Sequence, residues 1–458
     1  MRHLTRGGRN QSQQWSPNDG ANRARARIRR RYRSSNDRGA DAESGGRAGP
    51  ASSTTTKQSA LRVRVVREPF RYLGLSTLAI GFGQWAQQIG LAWLMYSMTG
   101  SAAQLGAISA FRGGVGVITA PLGGWMADRF SRRSVLVWST FASMVQAVIF
   151  AFLIAAGMIQ VWEVYLLALS GGIIQSVTQP ARQAFVFDVS TPETLPNAIA
   201  MNSILQNIAR VTGPPLTGAL IGFFGNSAPF ELLAATQVVA MGLTLLISRS
   251  IVSKRQMSGR GAFRDIGDGF RLVWADKSIL GLVLVATIPS LLVYPYLPFI
   301  SLISDQVLHR GAAGYGWLAS MAGWGSIGGL LVIAMLRSPR HRGLVMMLSF
   351  FLYAGAVFAF AQSTNFYLSC FFLVVAGVFT SVSNVLNNTL IQIAVPDSVR
   401  GRVMAVWQMS QGLQPLGALP MGLLVATHGV QVGLGAFMLA AMACFVLFTL
   451  CWGTVRRM

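Results

Sequence analysis

Several stretches of this chain, among them Val135–Ala156, Leu232–Ile247 and Phe437–Trp452, contain no Asp, Glu, Lys or Arg. A helix needs about 20 predominantly apolar residues to cross a hydrocarbon core of about 30 Å. Inside that core no water pairs with a backbone N–H or C=O, so the helix must satisfy its own backbone. Amphipathic helices of soluble domains would show polar faces at helical spacing, whereas these runs are apolar all the way round. Composition agrees: 52% of the 458 residues are hydrophobic and 12% charged, against about 25% charged in an ordinary soluble domain. Glycine lies inside the runs, as expected where helices pack closely in lipid. The chain therefore reads as an all-α polytopic membrane protein, and a soluble globular fold is set aside.

Twelve hydrophobic segments are expected, at 71–97, 103–127, 134–156, 161–187, 196–223, 230–249, 278–303, 313–336, 343–362, 366–394, 402–426 and 431–454. The basic residues orient them, because loops rich in Lys and Arg stay cytoplasmic. Arg71, Arg129, Arg132, Arg133, the seven in 249–277, Arg337, Arg340, Arg342, Arg400, Arg402, Arg456 and Arg457 all fall at one side. Only Arg310 lies in a connection on the other side. Both termini are then cytoplasmic and the expected location is the plasma (inner) membrane. The long 251–277 connection divides the remainder into six-helix halves, 70–250 and 278–458. Phe263, Ile266, Phe270 and Trp274 recur at helical spacing in that connection, which fits a helix on the membrane surface or one packed under the bundle.

Residues 1–69 differ in kind, with 16 basic and 5 acidic residues in an Arg, Ser, Gly and Asn-rich context. No apolar h-region follows, so they do not read as a secretory signal. A disordered cytoplasmic tail held to anionic lipid is the leading reading. A spurious upstream start and a nucleic-acid-binding arm remain open, the latter weakened by the absence of regular aromatic interleaving. Cys370, Cys444 and Cys451 sit in apolar runs with no ligand spacing, and the four histidines are scattered. Neither a metal nor a cofactor is expected. No GxxxxGK[ST] loop is present, which argues against direct ATP drive.

The two halves resemble each other: 190–203 parallels 394–408, and 213–218 parallels 414–419. Such repeats place a site between the halves at mid-membrane. The connection GGWMADRFSRRSVL, from Gly123 to Leu136, is the most specific motif. It closely resembles the G-x-x-x-D-R-x-G-R-R/K loop signature of the major facilitator superfamily, through Gly124, Asp128, Arg129, Arg132 and Arg133. Ser131 stands where the family usually has glycine. Segments 179–218, 314–331 and 395–407 look like the exporter branch that includes the bacterial enterobactin exporter and macrolide-type efflux proteins. The resemblance implies a twelve-helix transporter fold, outward movement of substrate, and a gating role for Asp128, Arg129 and Arg132.

Within the segments, Gly213 and Pro214 mark a helix disruption, since proline removes a backbone hydrogen bond and glycine admits a neighbouring helix. Arg112 and Arg210 are the best embedded charges. Such groups face protein or water because lipid exposure is costly. Arg182, nearer a segment end, either snorkels or pairs with Asp188. No carboxylate is embedded, so proton coupling is implied by the resemblance alone. Residues four apart share a helix face, so Gln84 with Gln88, Gln175 with Gln179, and Asn384 with Asn388 are expected to line one cavity. Tyr294 and Gln411 are added as further binding candidates. The alternative for each is interhelical hydrogen bonding.

The leading expectation is a monomeric secondary exporter of a small amphipathic compound such as a siderophore, macrolide or other drug-like metabolite, with the bilayer as its medium and a proton as the implied coupling ion. Import of a nutrient or lysolipid, and a non-transporting receptor or scaffold working through its tail, are the alternatives. An intramembrane enzyme would need paired Asp residues or a Ser and His on two helices, and neither is seen.

Overall fold

The computed structural model describes residues 53–190, 193–247, 262–335, 341–396 and 399–456, with the side chains of 53–70, 121, 124, 125, 127, 128, 262–266 and 268 outside that description. The chain divides into Met1–Val63 and Arg64–Met458, and the contacts below belong to the second unit. Every described element is helical. In order they are α1 (Ser53–Thr99), α2 (Ala102–Arg129), α3 (Arg132–Ala155), α4 (Val161–Val189), α5 (Leu195–Phe224), α6 (Ala228–Leu246), α7 (Ala262–Ala275) and α8 (Lys277–Leu292). After a 3-10 stretch and a π turn, α9 (Gly311–Met335), α10 (Arg342–Gln362), α11 (Phe366–Ala394), α12 (Arg400–Gln411), α13 (Gln414–His428), α14 (Val430–Cys451) and the short α15 (Gly453–Arg456) follow.

Eight of these stretches are long and apolar enough to cross a membrane: α3, α4, α6, Lys277–Val307, α9, α10, α11 and α14. The other four expected segments are helical too, in α1, α2, α5 and α12 with α13. Their lower apolarity has a reason in the packing. α2 lies along α13 and α5 along α9, and α1, α2 and α13 line the main cavity. Helices shielded from lipid in this way can carry Arg112, Arg210 and several glutamines.

Short polar residues start the helices. Ser101 Oγ accepts from Gln104 N at 3.4 Å, Asn365 Oδ1 from Tyr367 N at 3.0 Å, and Asp276 Oδ1 from Ser278 N at 2.8 Å, which satisfies N–H groups that have no partner in the first turn. Gly225 and Gly429, with φ of 86° and 85°, close α5 and α13. Both hold a positive φ with extended ψ, a conformation that glycine reaches because it has no Cβ.

Three expectations need correction. The seventh segment is not one regular helix. α8 ends at Leu292, and Tyr294–Phe299 tightens to a 3-10 helix because Pro295 and Pro298 remove α-helical donors. The eleventh breaks at Gly412 and Leu413, just before Pro415 in the first turn of α13, where a proline disfavours continuation of the preceding helix. Finally, α1 begins at Ser53, so part of the stretch expected to be disordered is helical. Residues 1–52 lie outside the described residues.

Helix α7 forms where the amphipathic spacing placed it and packs on α12. Gly269 abuts the carbonyl of Arg402 and Val273 is buried, while Phe270 and Trp274 are exposed. It therefore packs beneath the bundle and keeps an apolar edge outward; the side chains of Phe263 and Ile266 lie outside the described residues. Cys370 and Cys444 are half-buried and Cys451 is exposed, all as free thiols.

Candidate transport site

α1–α6 and α8–α14 meet along two glycine-lined seams. In one, a Cβ on Gly106 would meet the carbonyl of Ala418, and one on Gly422 would lie 2.7 Å from the carbonyl of Ala102. In the other, Gly316 abuts the carbonyl of Pro214 and Gly218 abuts that of Ala312. Small residues thus let both helix pairs approach backbone to backbone. Gly213 of α5 packs on Trp85, where a Cβ would sit 2.9 Å from the tryptophan Cβ. α5 continues through Pro214 and Pro215. The prolines free the Arg210 carbonyl from the helical ladder, and it faces Gly323 of α9.

Towards the end away from Arg129–Arg133, Tyr96 of α1 donates to Asp305 Oδ2 at 2.7 Å, and Trp93 stacks on Tyr315 at 6.4 Å. These contacts close that end. A cavity of about 520 Å³ begins beneath Tyr315 and Leu91 and extends along α2 to Ala120 and along α4 to Pro180, towards the arginine-rich end. Its lining is polar on α1, α2 and α4, with Gln88, Ser109, Arg112, Gln175, Ser176 and Gln179. It is mainly apolar on the opposite side, with Pro295, Leu297, Pro298, Pro415 and Ala418.

Arg112 sits where these surfaces meet. Its Nη2 donates to Gln175 Oε1 at 3.0 Å and to Gln87 Oε1 at 3.4 Å. Gln87 Nε2 passes the chain to Gln146 Oε1 at 3.3 Å, and Gln146 Nε2 donates to the Leu167 carbonyl at 3.1 Å and to Ser170. On α4, Arg182 Nη2 donates to Gln179 Oε1 at 2.7 Å and to Gln206 Oε1 at 3.5 Å. Arg182 is 3% exposed, and its Nε and Nη1 have no hydrogen-bond partner among the described residues. The pairing of Arg182 with Asp188 is thereby overturned. Asp188 is taken by Arg132 at 2.5 Å, which also donates to the Ala184 carbonyl at 3.1 Å.

The other candidates separate into distinct groups. Gln88, Gln175 and Gln179 line the cavity with Arg112, whereas Gln84 faces a small internal polar space with Gln87, Ser143 and Gln237. Gln84 and Gln88 therefore do not share one cavity. Asn384 donates to Tyr294 Oη at 2.7 Å, Asn388 accepts from Gln392 at 2.5 Å, and Gln411 accepts from Ser290 at 3.0 Å. None of these, nor Arg210, is in the lining of the 520 Å³ cavity. Asn387, buried between Leu282, Met346 and Trp407, is interhelical bonding of the bland kind.

In the motif connection, Ser131 caps α3, and Arg133 donates to the carbonyls of Thr244 and Leu245 at 3.3 and 2.8 Å. A cation at the C-terminus of α6 satisfies orphan carbonyls and complements the helix dipole. Gly124 and Asp128 fall in the last turns of α2, with the Asp128 side chain outside the described residues; Arg129 ends that helix. The residues that sequence reasoning passed over as site members are Gln146, Gln237, Tyr96 and Asp305. A lone glutamine inside a charge-free run is the signal that marks the first two.

The all-helical bundle with a central cavity between paired helices is the architecture of a membrane transporter. The chain belongs to the transmembrane secretion effector family, a branch of the major facilitator superfamily, whose family model matches residues 60–455. It is similar to the staphyloferrin A transporter of Staphylococcus aureus (strain NCTC 8325 / PS 47), 24% identical over 79% of this chain and 90% of that one. It is also similar to the enterobactin exporter EntS of Shigella flexneri, 24% identical over 68% of this chain and 73% of that one. Among solved structures, the nucleoside transporter NupG matches with a TM-score of 0.64 at 16% identity, covering 84% of this chain and 98% of that one. A bacterial homologue of the human lysosomal transporter Spinster matches with a TM-score of 0.65 at 14% identity, covering 86% and 96%. The structural likenesses show the fold.

Proposed function

We propose that the protein is a secondary active exporter of a small, amphipathic, siderophore-like compound, working by alternating access. Twelve spans in two halves, 70–250 and 278–458, rock about the cavity, with both termini cytoplasmic in the plasma (inner) membrane. The observation that carries the reading is the Arg112 cavity, polar on one wall and apolar on the other, sealed at one end and extending to the arginine-rich end. With that end cytoplasmic, the structure is the loading state of an exporter. The names of the two relatives support a siderophore as cargo. Asp128, Arg129 and Arg132 act at the gate, Arg132 by tying the start of α3 to the end of α4.

The test is retention of a siderophore, a macrolide and a fluorescent dye in cells making wild type or Arg112→Gln at equal membrane levels. Lower retention of at least one compound with wild type, lost in the variant, supports export. Higher retention with wild type would mean import. If neither protein changed retention of any compound, the transport reading would fall to a receptor or scaffold reading, whose activity should reside in residues 1–69.

A further inference from the structure

We propose that Gln146 is a positioning residue: buried behind the cavity, it acts through Gln87 to hold the Arg112 guanidinium in place at the cavity wall. That this placement serves transport rests on the export reading above; the placement itself does not. The relay has a fixed direction. At one end stands the Leu167 carbonyl of α4, which can only accept, and at the other the guanidinium of Arg112 on α2, which can only donate. Gln146 of α3 must therefore turn its Nε2 towards Leu167, 3.1 Å away, and its Oε1 towards α1. Gln87 of α1 then meets that oxygen with its own Nε2 at 3.3 Å, which leaves Gln87 Oε1 facing Arg112 Nη2 at 3.4 Å. Reversing either amide would set two donors against each other at one of its contacts and two acceptors at the other. A main-chain carbonyl on α4 thus decides, two side chains away, that Arg112 meets an amide oxygen.

The packing keeps this relay out of the transport path. Gln87 and Gln146 are buried, and they face the small internal polar space rather than the 520 Å³ cavity. Gly171 of α4 makes room for the Gln87 amide: a Cβ there would come within 2.8 Å of Gln87 Nε2 and 3.7 Å of its Oε1. One turn further along α4, Gln175 supplies the second acceptor of Arg112 at 3.0 Å. The guanidinium is therefore held from α1 and from α4 at once. A long side chain gives up rotamer freedom when it is ordered, and a cavity that presents Arg112 already ordered avoids that cost each time a compound binds.

The experiment reads Arg112 in the full-length protein in detergent with no compound present, by the rate at which phenylglyoxal modifies it, followed by peptide mass spectrometry. Gln87→Met, Gln146→Met and Gly171→Ala should each speed the reaction several-fold, because each removes, releases or displaces an acceptor on the guanidinium. Gln87→Met combined with Gln146→Met should react no faster than Gln87→Met alone, since the relay runs through Gln87. Gly171→Ala separates positioning from stability. Alanine is the better helix former, and the nearest atoms to its Cβ belong to the Gln87 amide, so the melting temperature should hold while Arg112 reacts faster. Asn387→Leu, which leaves Trp407 Nε1 without its acceptor, should do the reverse, lowering the melting temperature and leaving the Arg112 rate unchanged.

Carriage is read in energised inverted membrane vesicles with a tris-catecholate, a macrolide and a fluorescent dye as probes. For any probe that wild type carries, Gln146→Met and Gly171→Ala should raise KM about three- to tenfold, the effect of losing one long hydrogen bond, and keep kcat. An unchanged Arg112 rate in both variants, or a Gln146→Met effect that adds in full to that of Gln87→Met, would overturn the positioning role. Faster modification with KM unchanged would overturn its service to transport. Faster modification with no probe carried by wild type would uphold the placement and remove the export reading instead.

Discussion

Arg112 is held by amides, where a carboxylate would bind it more strongly. An amide oxygen orients the guanidinium without cancelling its charge, so the positive charge remains available to a ligand. Hydrogen bonds to charged groups contribute about 1.5–3 kcal/mol, which corresponds to roughly ten- to a hundredfold in affinity. Arg112→Gln should weaken transport by that factor, read from initial rates at subsaturating substrate. Gln175→Glu places a carboxylate 3.0 Å from the guanidinium. That variant should keep or raise the melting temperature in detergent and lose transport to the same degree; a variant that transports normally would show that the charge of Arg112 is not used. In the proposed gate, Arg132 and Asp188 form one ion pair. Each single neutral substitution should slow transport, and the pair Arg132→Gln with Asp188→Asn should be no worse than the more harmful single. Additive losses in that cycle would place the two residues in separate roles.

At the scale of helices, the seams decide which end is shut. Gly106 faces the carbonyl of Ala418 and Gly316 that of Pro214, and a backbone atom cannot rotate away from an added side chain as a flexible side chain would. Gly106→Leu and Gly316→Leu should therefore separate α2 from α13 and α5 from α9. The expected signature is labelling of a cysteine placed at Tyr96 by an impermeant thiol reagent, several-fold faster than in the parent cysteine variant. Unchanged labelling in both would mean that the seams do not control closure. The sequence made these helices legible but not their interruptions. Hydropathy reports the length of a charge-free run, and prolines are tolerated inside membrane helices, so nothing local distinguished Pro415, which lies in the first turn of a new helix, from Pro214, through which α5 continues. The i and i+4 rule was sound for Gln175 and Gln179. It failed for Gln84 and Gln88 because the direction of each side chain depends on neighbours such as Gln237 and Ser143, which no spacing encodes.

For the whole molecule, the less apolar spans are those at the seams and the cavity, a division that lipid exposure imposes and that the sequence carries in the placement of Arg112, Arg210 and the glutamines. The family was legible in the Gly124 to Arg133 motif; which candidates meet was not, because Tyr294, Asn384 and Gln411 are as polar as the cavity glutamines and only the packing sends them elsewhere. The central claim is that one cavity opens alternately to the two ends. The most direct measurement is the distance between spin labels in two pairs of exposed positions, Phe187 with Ile393 towards the arginine-rich end and Phe224 with Val432 at the other, in vesicles with and without the exported compound. Alternating access predicts that the compound shortens the first distance and lengthens the second. Distances that stay fixed, or change together in the same direction, would contradict it.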